Sequence, residues 1–418
     1  IITHEVGQYT VFPNIDEIPK YQGLLEPTNL KRIRKTLDER GLLPLAHKYM
    51  LHSGKTSMLL YRDEIESSLR TQNLAGIQLL DLHDFPGQST ADVGMLDCFW
   101  DDKGIVSSRR FREFSNRVVP LLVLQKRIFI SAEAMDIKIF IANYLPTDLI
   151  NKIVKLTIES KTFRFEKQLY LDTIHHGNVF EYFDDVITLP VVEDATTLEC
   201  VLSISDTPYQ NRWNITVLPD EPVDDVLLFT DISDEFLTAI KQGKNMIFNS
   251  PLHAVKDAVP GKFFPVFWSP VHFTSDNPNG LIIPHEHPIF NHFRTNDFAD
   301  YQWKNLLDNS VNMKITSTSI TPLIDVIPNF IVAERMTNLF EVQIDNAHIV
   351  VTTIDITNHL DYRHEARTLR NSIARYLQSD TLTASNKMTQ DEFSALFYTK
   401  EEAMAKEKMK GMELGKGK

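Results

Sequence analysis

The spacing of apolar positions changes character twice along this chain. Up to about residue 125 the order is mixed α and β. Ile1 to Val11 reads as a strand running into a loop stopped by Pro13. After Pro27, Thr28 or Asn29 can cap a helix that Gly41 ends. Leu60, Tyr61, Ile65 and Leu69 recur at helical spacing and predict a second helix over Leu59–Arg70. Gly76-Ile77-Gln78-Leu79-Leu80-Asp81-Leu82 is short and mostly apolar, as a buried parallel strand is. Phe85-Pro86-Gly87-Gln88 then breaks it. The order suits the last βα units of an α/β barrel. Two strands cannot close a barrel, so the pattern implies further chain upstream.

Between 126 and 220 the period becomes two. Arg127–Ile130, Asp136–Ile141, Lys152–Ile158, Thr197–Ser203 and Trp213–Val217 alternate between turns rich in Pro, Asn, Asp and Gly. That pattern predicts an antiparallel sandwich of immunoglobulin-like type. From 221 to 380 the chain returns to α/β. Asp225–Phe229, a helix over Asp234–Lys241 and Asn245–Phe248 make one βαβ unit. Further strands are expected at Phe330–Ala333, Leu339–Ile344 and His348–Ile354, and a closing helix at Ala366–Leu377. Beyond Ser379 the chain is polar, with a helical stretch at Glu401–Met412 in a loosely held tail. The expected fold class is therefore multidomain α/β plus all-β. Its segments are 1–125 (the C-terminal strands and helices of a (β/α)8 barrel), 126–220 (the β-sandwich), 221–380 (a second α/β domain) and 381–418 (a polar helical tail).

Length and charge narrow this picture. At 418 residues the chain exceeds one ordinary core. No apolar run reaches the ~18–20 residues that span a bilayer. The net charge of −13, from 43 Lys and Arg against 56 Asp and Glu, disfavours a nucleic-acid or anionic-membrane partner. Cys98 and Cys200 can form at most one bridge, so no disulfide framework is expected. The chain opens on Ile1 inside an apolar run, with neither a basic n-region nor a signal-type h-region, and reads as a piece of something longer.

Two segments carry candidate chemistry. In His4-Glu5-Val6-Gly7-Gln8, Glu5 stands at a strand end, where barrel folds place catalytic groups. His4 and Gln8 flank it with groups able to orient a carboxylate by hydrogen bonds. A solvated surface Glu or a helix cap would look the same. In Asp81-Leu82-His83-Asp84-Phe85-Pro86-Gly87-Gln88, polar groups crowd the end of an apolar strand. They serve equally as turn-satisfying loop residues. Trp100 offers a ring on which a sugar face could stack, or a helix-packing side chain. Were both segments at the mouth of one barrel, Glu5 and Asp81–Asp84 would line one pocket. A retaining glycosidase needs two carboxyls ~5–5.5 Å apart, and this chain supplies candidates for one of them. No spacing suits a metal: Pro284 and Pro288 flank His285-Glu286-His287, which reads as a surface turn. No cofactor is expected.

The stretch Leu74–Ala91, continued by Val93–Gly104, resembles the last barrel strand and loop of proteins related to glycoside hydrolase family 2. These are the β-galactosidase and β-glucuronidase relatives common in polysaccharide-degrading Bacteroidota. His4-Glu5-Val6-Gly7-Gln8-Tyr9 is similar to the segment after barrel strand seven. Asn211-Arg212-Trp213, Phe267-Trp268-Ser269 and His364-Glu365-Ala366-Arg367 extend the likeness. The resemblance implies a retaining glycosidase with Glu5 as nucleophile. His4, Gln8, Asp81, His83, Asp84, Gln88 and Trp100 would bind an oligosaccharide or polysaccharide substrate, in a periplasmic or secreted protein compatible with self-association. The family's acid/base Glu follows strand four, which this chain does not contain. The alternative is a non-catalytic carbohydrate-binding or assembly module, built from the sandwich and the second α/β domain, or an inactive fragment.

Overall fold

The computed structural model describes residues 1–315, 320–382 and 386–406. Strand β1 (Ile2–Val6) pairs in parallel with β2 (Gly76–Leu79), and α1 (Thr28–Glu39) and α2 (Ala46–Leu69) run between them. A single turn, α3 (Ser108–Phe111), leads onward. These two strands make a sheet of their own. The (β/α)8 barrel expected over 1–125 is not formed. Among the described residues the sheets are open and mixed, and none closes on itself. What covers the strands explains why. Val6 and Leu74 pack on Tyr61, Ile65 and Leu69 of α2 and on Val119, Leu121 and Ala142 from a neighbouring sheet. Apolar surface that a barrel buries against more parallel strands is here buried against a helix and an antiparallel sheet.

Helix α2 begins at Ala46 rather than at Leu59. Its first half holds Ser53, Gly54, Thr56 and Ser57, which are indifferent helix formers and show no apolar stripe. All four are nevertheless buried, because their polar groups are used. Ser53 Oγ donates to Tyr49 O at 2.6 Å and accepts from Phe12 N at 2.9 Å. Thr56 Oγ1 donates to Ala299 O at 2.9 Å, and Ser57 Oγ to Tyr9 O at 3.1 Å. At Gly54 a Cβ would stand 2.4 Å from the Ile105 side chain, so only glycine allows that approach.

The next unit is all β. Strands β3 (Val118–Leu124), β4 (Ile128–Ile130), β5 (Ala134–Asn143), β6 (Leu149–Glu159), β7 (Arg164–Ile174), β8 (Asn178–Thr188), β9 (Thr196–Ile204) and β10 (Gln210–Leu218) form two sheets. Their orders are β3-β5-β8 and β4-β10-β9-β6-β7, with β4 parallel to β10 and the other pairs antiparallel. Ile137, Ile139, Leu156, Ile158, Leu198 and Trp213 meet in their shared core.

α2 docks on this unit through a buried polar cluster. The Glu66 carboxylate accepts from Arg62 Nε at 2.7 Å, Asn211 Nδ2 at 2.9 Å and Trp213 Nε1 at 2.8 Å. Asn211 also donates to Pro120 O at 3.1 Å, and Arg62 Nη2 to Asn211 Oδ1 at 3.1 Å. Burial alone would raise the Glu66 pKa; Arg62, Trp213 and Asn211 together hold it below its usual value.

The third unit is a mixed open sheet. Its elements in chain order are β11 (Leu228–Phe229), α4 (Asp234–Lys241), β12 (Met246–Phe248), β13 (Ala258–Pro260), β14 (Gly280–Ile282), α5 (Lys304–Asp308), β15 (Val311–Lys314), β16 (Ile324–Ile327), β17 (Met336–Ile344), β18 (Ala347–Thr352), α6 (His364–Leu377) and α7 (Gln390–Ser394). The order β11-β12-β18-β17-β15-β13 is branched by β16, which pairs with both β14 and β17. The strand expected at Phe330–Ala333 lies earlier, at β16. Asn329 Oδ1 instead accepts from the backbone of Ile331 and Val332 and turns the chain. Residues 400–406 are helical, and 407–412 of the expected tail helix lie outside the described residues.

Removing one partner of the buried cluster leaves the other charged and unsolvated. Glu66→Ala is expected to cost about 3–5 kcal/mol. The double variant Arg62→Met, Glu66→Leu should recover much of that loss. Urea unfolding of the three proteins checks this. Equal stability of the single variant and the unmodified chain would mean the cluster is not desolvated.

Candidate functional site: an aromatic surface at the strand ends

The two sequence-predicted segments do meet, over the C-terminal ends of β1 and β2. Glu5 has φ +59°, in the left-handed region, where the β1–β2 register shifts. Its side chain is 52% exposed. Gln8 Nε2 donates to Glu5 O at 3.0 Å and to Glu5 Oε2 at 3.1 Å, while His4 Nδ1 lies 3.6 Å from Glu5 Oε1. Gly7, at φ +90°, sits so close to the Tyr61 ring that a Cβ would lie 1.9 Å from it. Gly7 N donates to Glu64 Oε2 at 3.0 Å, and Tyr61 Oη donates to Asp81 O at 3.0 Å. Tyr61 of α2 thus bridges the two strand ends.

The loop after β2 folds back on itself around a buried ion pair. Lys103 Nζ donates to both Asp84 oxygens, at 2.9 and 2.8 Å, and to Gly94 O at 2.8 Å; Gly94 N donates to Asp84 Oδ1 at 2.8 Å. Asp84 is therefore buried under the loop rather than turned to solvent. His83 Nδ1 donates to Asp84 O at 2.7 Å, and the His83 ring lies 4.6 Å from the Trp100 ring. Trp100 itself is 61% exposed, at φ +67°. Its position follows from Asp97, whose carboxylate accepts from the backbone of Phe99 and Asp101 and from Lys20. Gln88 is exposed at the loop tip.

A third segment, which the sequence did not mark as part of a site, completes the surface. Trp268 N donates to Gln8 O at 2.9 Å, and Ser269 Oγ donates to Ser89 O. The Phe85 and Trp268 rings lie 6.3 Å apart, and those of Phe267 and Phe273 5.0 Å apart. Phe85, Phe99, Trp100, Phe267 and Phe273 are all exposed. The density of rings in Phe263–Trp268 was the available signal, but sequence alone does not say which of them face out.

This geometry overturns the retaining-glycosidase reading and with it the assignment as a hydrolase. Glu5 lies on an open surface with no barrel beneath it. Among the described residues no second carboxyl is set opposite it across a cleft, as a nucleophile and acid pair requires. Among the same residues no group of three His, Cys, Asp or Glu side chains is placed to hold a metal ion.

Two family models match, each described as a domain of unknown function: DUF8487 over residues 227–398 and DUF8488 over 133–219. No curated protein matches. Among solved structures, Escherichia coli α2-macroglobulin in its native conformation is 19% identical, with a TM-score of 0.20, over 26% of this chain and 7% of that one. Parabacteroides merdae β-glucuronidase is 17% identical, with a TM-score of 0.19, over 27% of this chain and 15% of that one. The likeness to a glycosidase is thus weak and partial. The chain spans far less than two thirds of either protein, and neither likeness bears on what it does.

Beneath the surface lies a titratable core. Glu17, Asp84 and Asp92 are all buried around Lys103, whose hydrogen bonds go to Asp84 and Gly94. Glu17 Oε1 accepts from Tyr21 Oη at 3.0 Å, while Glu17 Oε2 and Asp92 Oδ2 are buried without a partner. Burial, then the nearby Asp84, pushes Glu17 up to about 7. The same causes carry Asp92 well above the usual carboxylate range. A carboxyl raised by folding favours the protonated native state. Its contribution is complete below the ordinary pKa of 4.5 and is lost as pH rises through about 7. Glu17→Gln should therefore raise the melting temperature at pH 8 relative to the unmodified chain, by roughly 2 kcal/mol in stability, with a smaller difference at pH 4.5. Asp92 acts with the same sign and accounts for any slope that remains. Thermal melts at the two pH values decide it; an equal shift at both would place Glu17 outside this titration.

Proposed function

We propose that this chain is a non-catalytic carbohydrate-binding module whose binding face is the aromatic surface above β1 and β2. The observation that carries this reading is the exposure of Trp100 beside His83, with Phe85, Phe99, Phe267 and Phe273 exposed on the segments joined to it. Exposed rings normally cost solubility, and several of them on adjoining segments mark a place where something docks. The apolar faces of sugar rings stack on such side chains, and polar neighbours accept and donate to the hydroxyls. Here those neighbours are Glu5, His83 and Gln88, while Gln8 is buried and holds Glu5 from below. The face is open rather than a closed cleft, which suits the side of a polysaccharide chain better than a single bond held for reaction. Polysaccharide ligands of this kind place the protein's work in the periplasm or outside the cell. No described helix is long and apolar enough to cross a membrane.

The test is retention in native gels cast with a panel of plant and host polysaccharides. The unmodified chain should be retarded by at least one of them, and Trp100→Ala should weaken that retention about tenfold, near 1.4 kcal/mol. Undiminished retention of Trp100→Ala would move the site elsewhere, and migration unaffected by every polysaccharide would end the carbohydrate reading.

A further inference from the structure

A second surface differs from the rest of this acidic protein. Where α3 and the segment after it pass the β9–β10 turn, a groove of about 820 Å³ is lined by Arg109, Arg112 and Arg117 on one side and Tyr209 on the other. That volume lies within the ~300–1,000 Å³ range of small-ligand sites. The three arginines are exposed, and among the described residues none of their guanidinium groups makes an ion pair or a hydrogen bond.

The acid in the groove is already engaged. Glu113 is buried, with its carboxylate taken by Arg110, by Arg212 at 3.0 Å and by Gln210 Nε2 at 3.2 Å. Asp206, in the adjacent turn, faces Lys152 at 3.9 Å. The groove therefore carries three uncompensated positive charges in a chain whose net charge is −13. Screening decides which of these a ligand feels. At physiological salt a charge acts over about 8 Å, so acids spread over the remaining surface do not cancel the charges that line this groove.

Guanidinium groups bind carboxylate and sulfate through paired N–H donors. Around them stand small polar groups, Ser108, Asn116 and Gln210, and the single ring of Tyr209. These match hydroxyls and one sugar face. We infer that this groove binds an anionic oligosaccharide, its carboxylate or sulfate groups held by Arg109, Arg112 and Arg117. The choice of a sugar as the carrier of those charges rests on the carbohydrate-binding reading; the aromatic surface and the groove are separate sites.

Calorimetric titration of the intact chain tests this with five probes: an oligogalacturonide, a sulfated oligosaccharide, a neutral oligosaccharide of equal length, oligoglutamate and inorganic sulfate. One or both anionic oligosaccharides should bind, and whichever binds tells carboxylate from sulfate recognition. Added salt should weaken that binding. The triple variant R109A/R112A/R117A should lose it at least tenfold, and the matching triple-lysine variant should recover only part. Anionic-sugar binding that survives the triple alanine variant overturns the inference. So does oligoglutamate or free sulfate binding as tightly as the sugars. Neutral polysaccharide retained through Trp100, with no anionic sugar bound, also overturns the groove and leaves the carbohydrate-binding reading standing. Anionic-sugar binding lost in the triple variant, in a protein that no neutral polysaccharide retards, supports the groove and removes the aromatic face.

Discussion

The Arg62–Glu66 pair beneath Trp213 is the constraint on which the arrangement of this protein depends. One turn of α2 carries both charges into an interior shared with the β-sandwich, where Asn211 and Trp213 supply the remaining donors. A buried carboxylate is tolerated only when its lone pairs are occupied, and here the donors come from a different unit of the chain. The Arg62 guanidinium also lies 5.0 Å from the Trp213 ring, so the cation is held by an aromatic face as well. The cluster fixes how α2 is rotated. That rotation in turn presents Tyr61 to the strand ends and Tyr49 to the third unit, where Tyr49 Oη donates to Asp325 at 3.0 Å.

Seen from α2, the three units are parts of one packing problem. Tyr61, Ile65 and Leu69 face β1, β2 and the sandwich, Leu60 reaches the core of the third unit, and Ala46 and Tyr49 join α1 to Ile327 and Phe330. A helix enclosed on so many sides leaves only His47, Lys48 and Ser67, near its two ends, exposed. It uses hydroxyl and glycine positions for close approach and for cross-links. The candidate surface inherits its geometry from this. Gly7 rests on Tyr61, and Tyr61 holds Asp81, so the two strand ends are set by the helix rather than by a barrel wall.

Trp100 depends on a different interior. The loop that carries it is anchored by Asp84 and Lys103 from below and by Asp97 from within. Glu17 and Asp92 press against the same anchor without cations of their own. Burial therefore favours the protonated form of both. The chemistry that sequence reading assigned to Asp84 as a sugar contact is spent instead on holding the platform in place.

Local period was legible because it is written in neighbouring residues. The alternation at 136–141 and 152–158 places every second side chain inward wherever those strands pair, and Gly41 follows the end of α1 as expected, whereas β1 ends at Val6, well before Pro13. The adjacency of His4, Glu5 and Gln8, and the ring-rich loop 81–100, were likewise visible as patterns. What covers an element was not visible. The apolar strands at residues 2–6 and 76–79 fit a barrel as well as they fit a two-stranded sheet sealed by α2 and β5. Only the burial of Val119, Leu121 and Ala142 against them chose. The front half of α2 lacked a stripe because hydroxyl partners at Tyr9, Phe12 and Ala299 come from distant parts of the chain. The sequence by itself determined periodicity, turn positions and charge, which depend on contacts a few residues apart. The tertiary structure alone decided that Glu5 lies on an open face, that Asp84 is buried and that Tyr209 stands across a groove from Arg109, Arg112 and Arg117, because each depends on segments tens to hundreds of residues away arriving, or failing to.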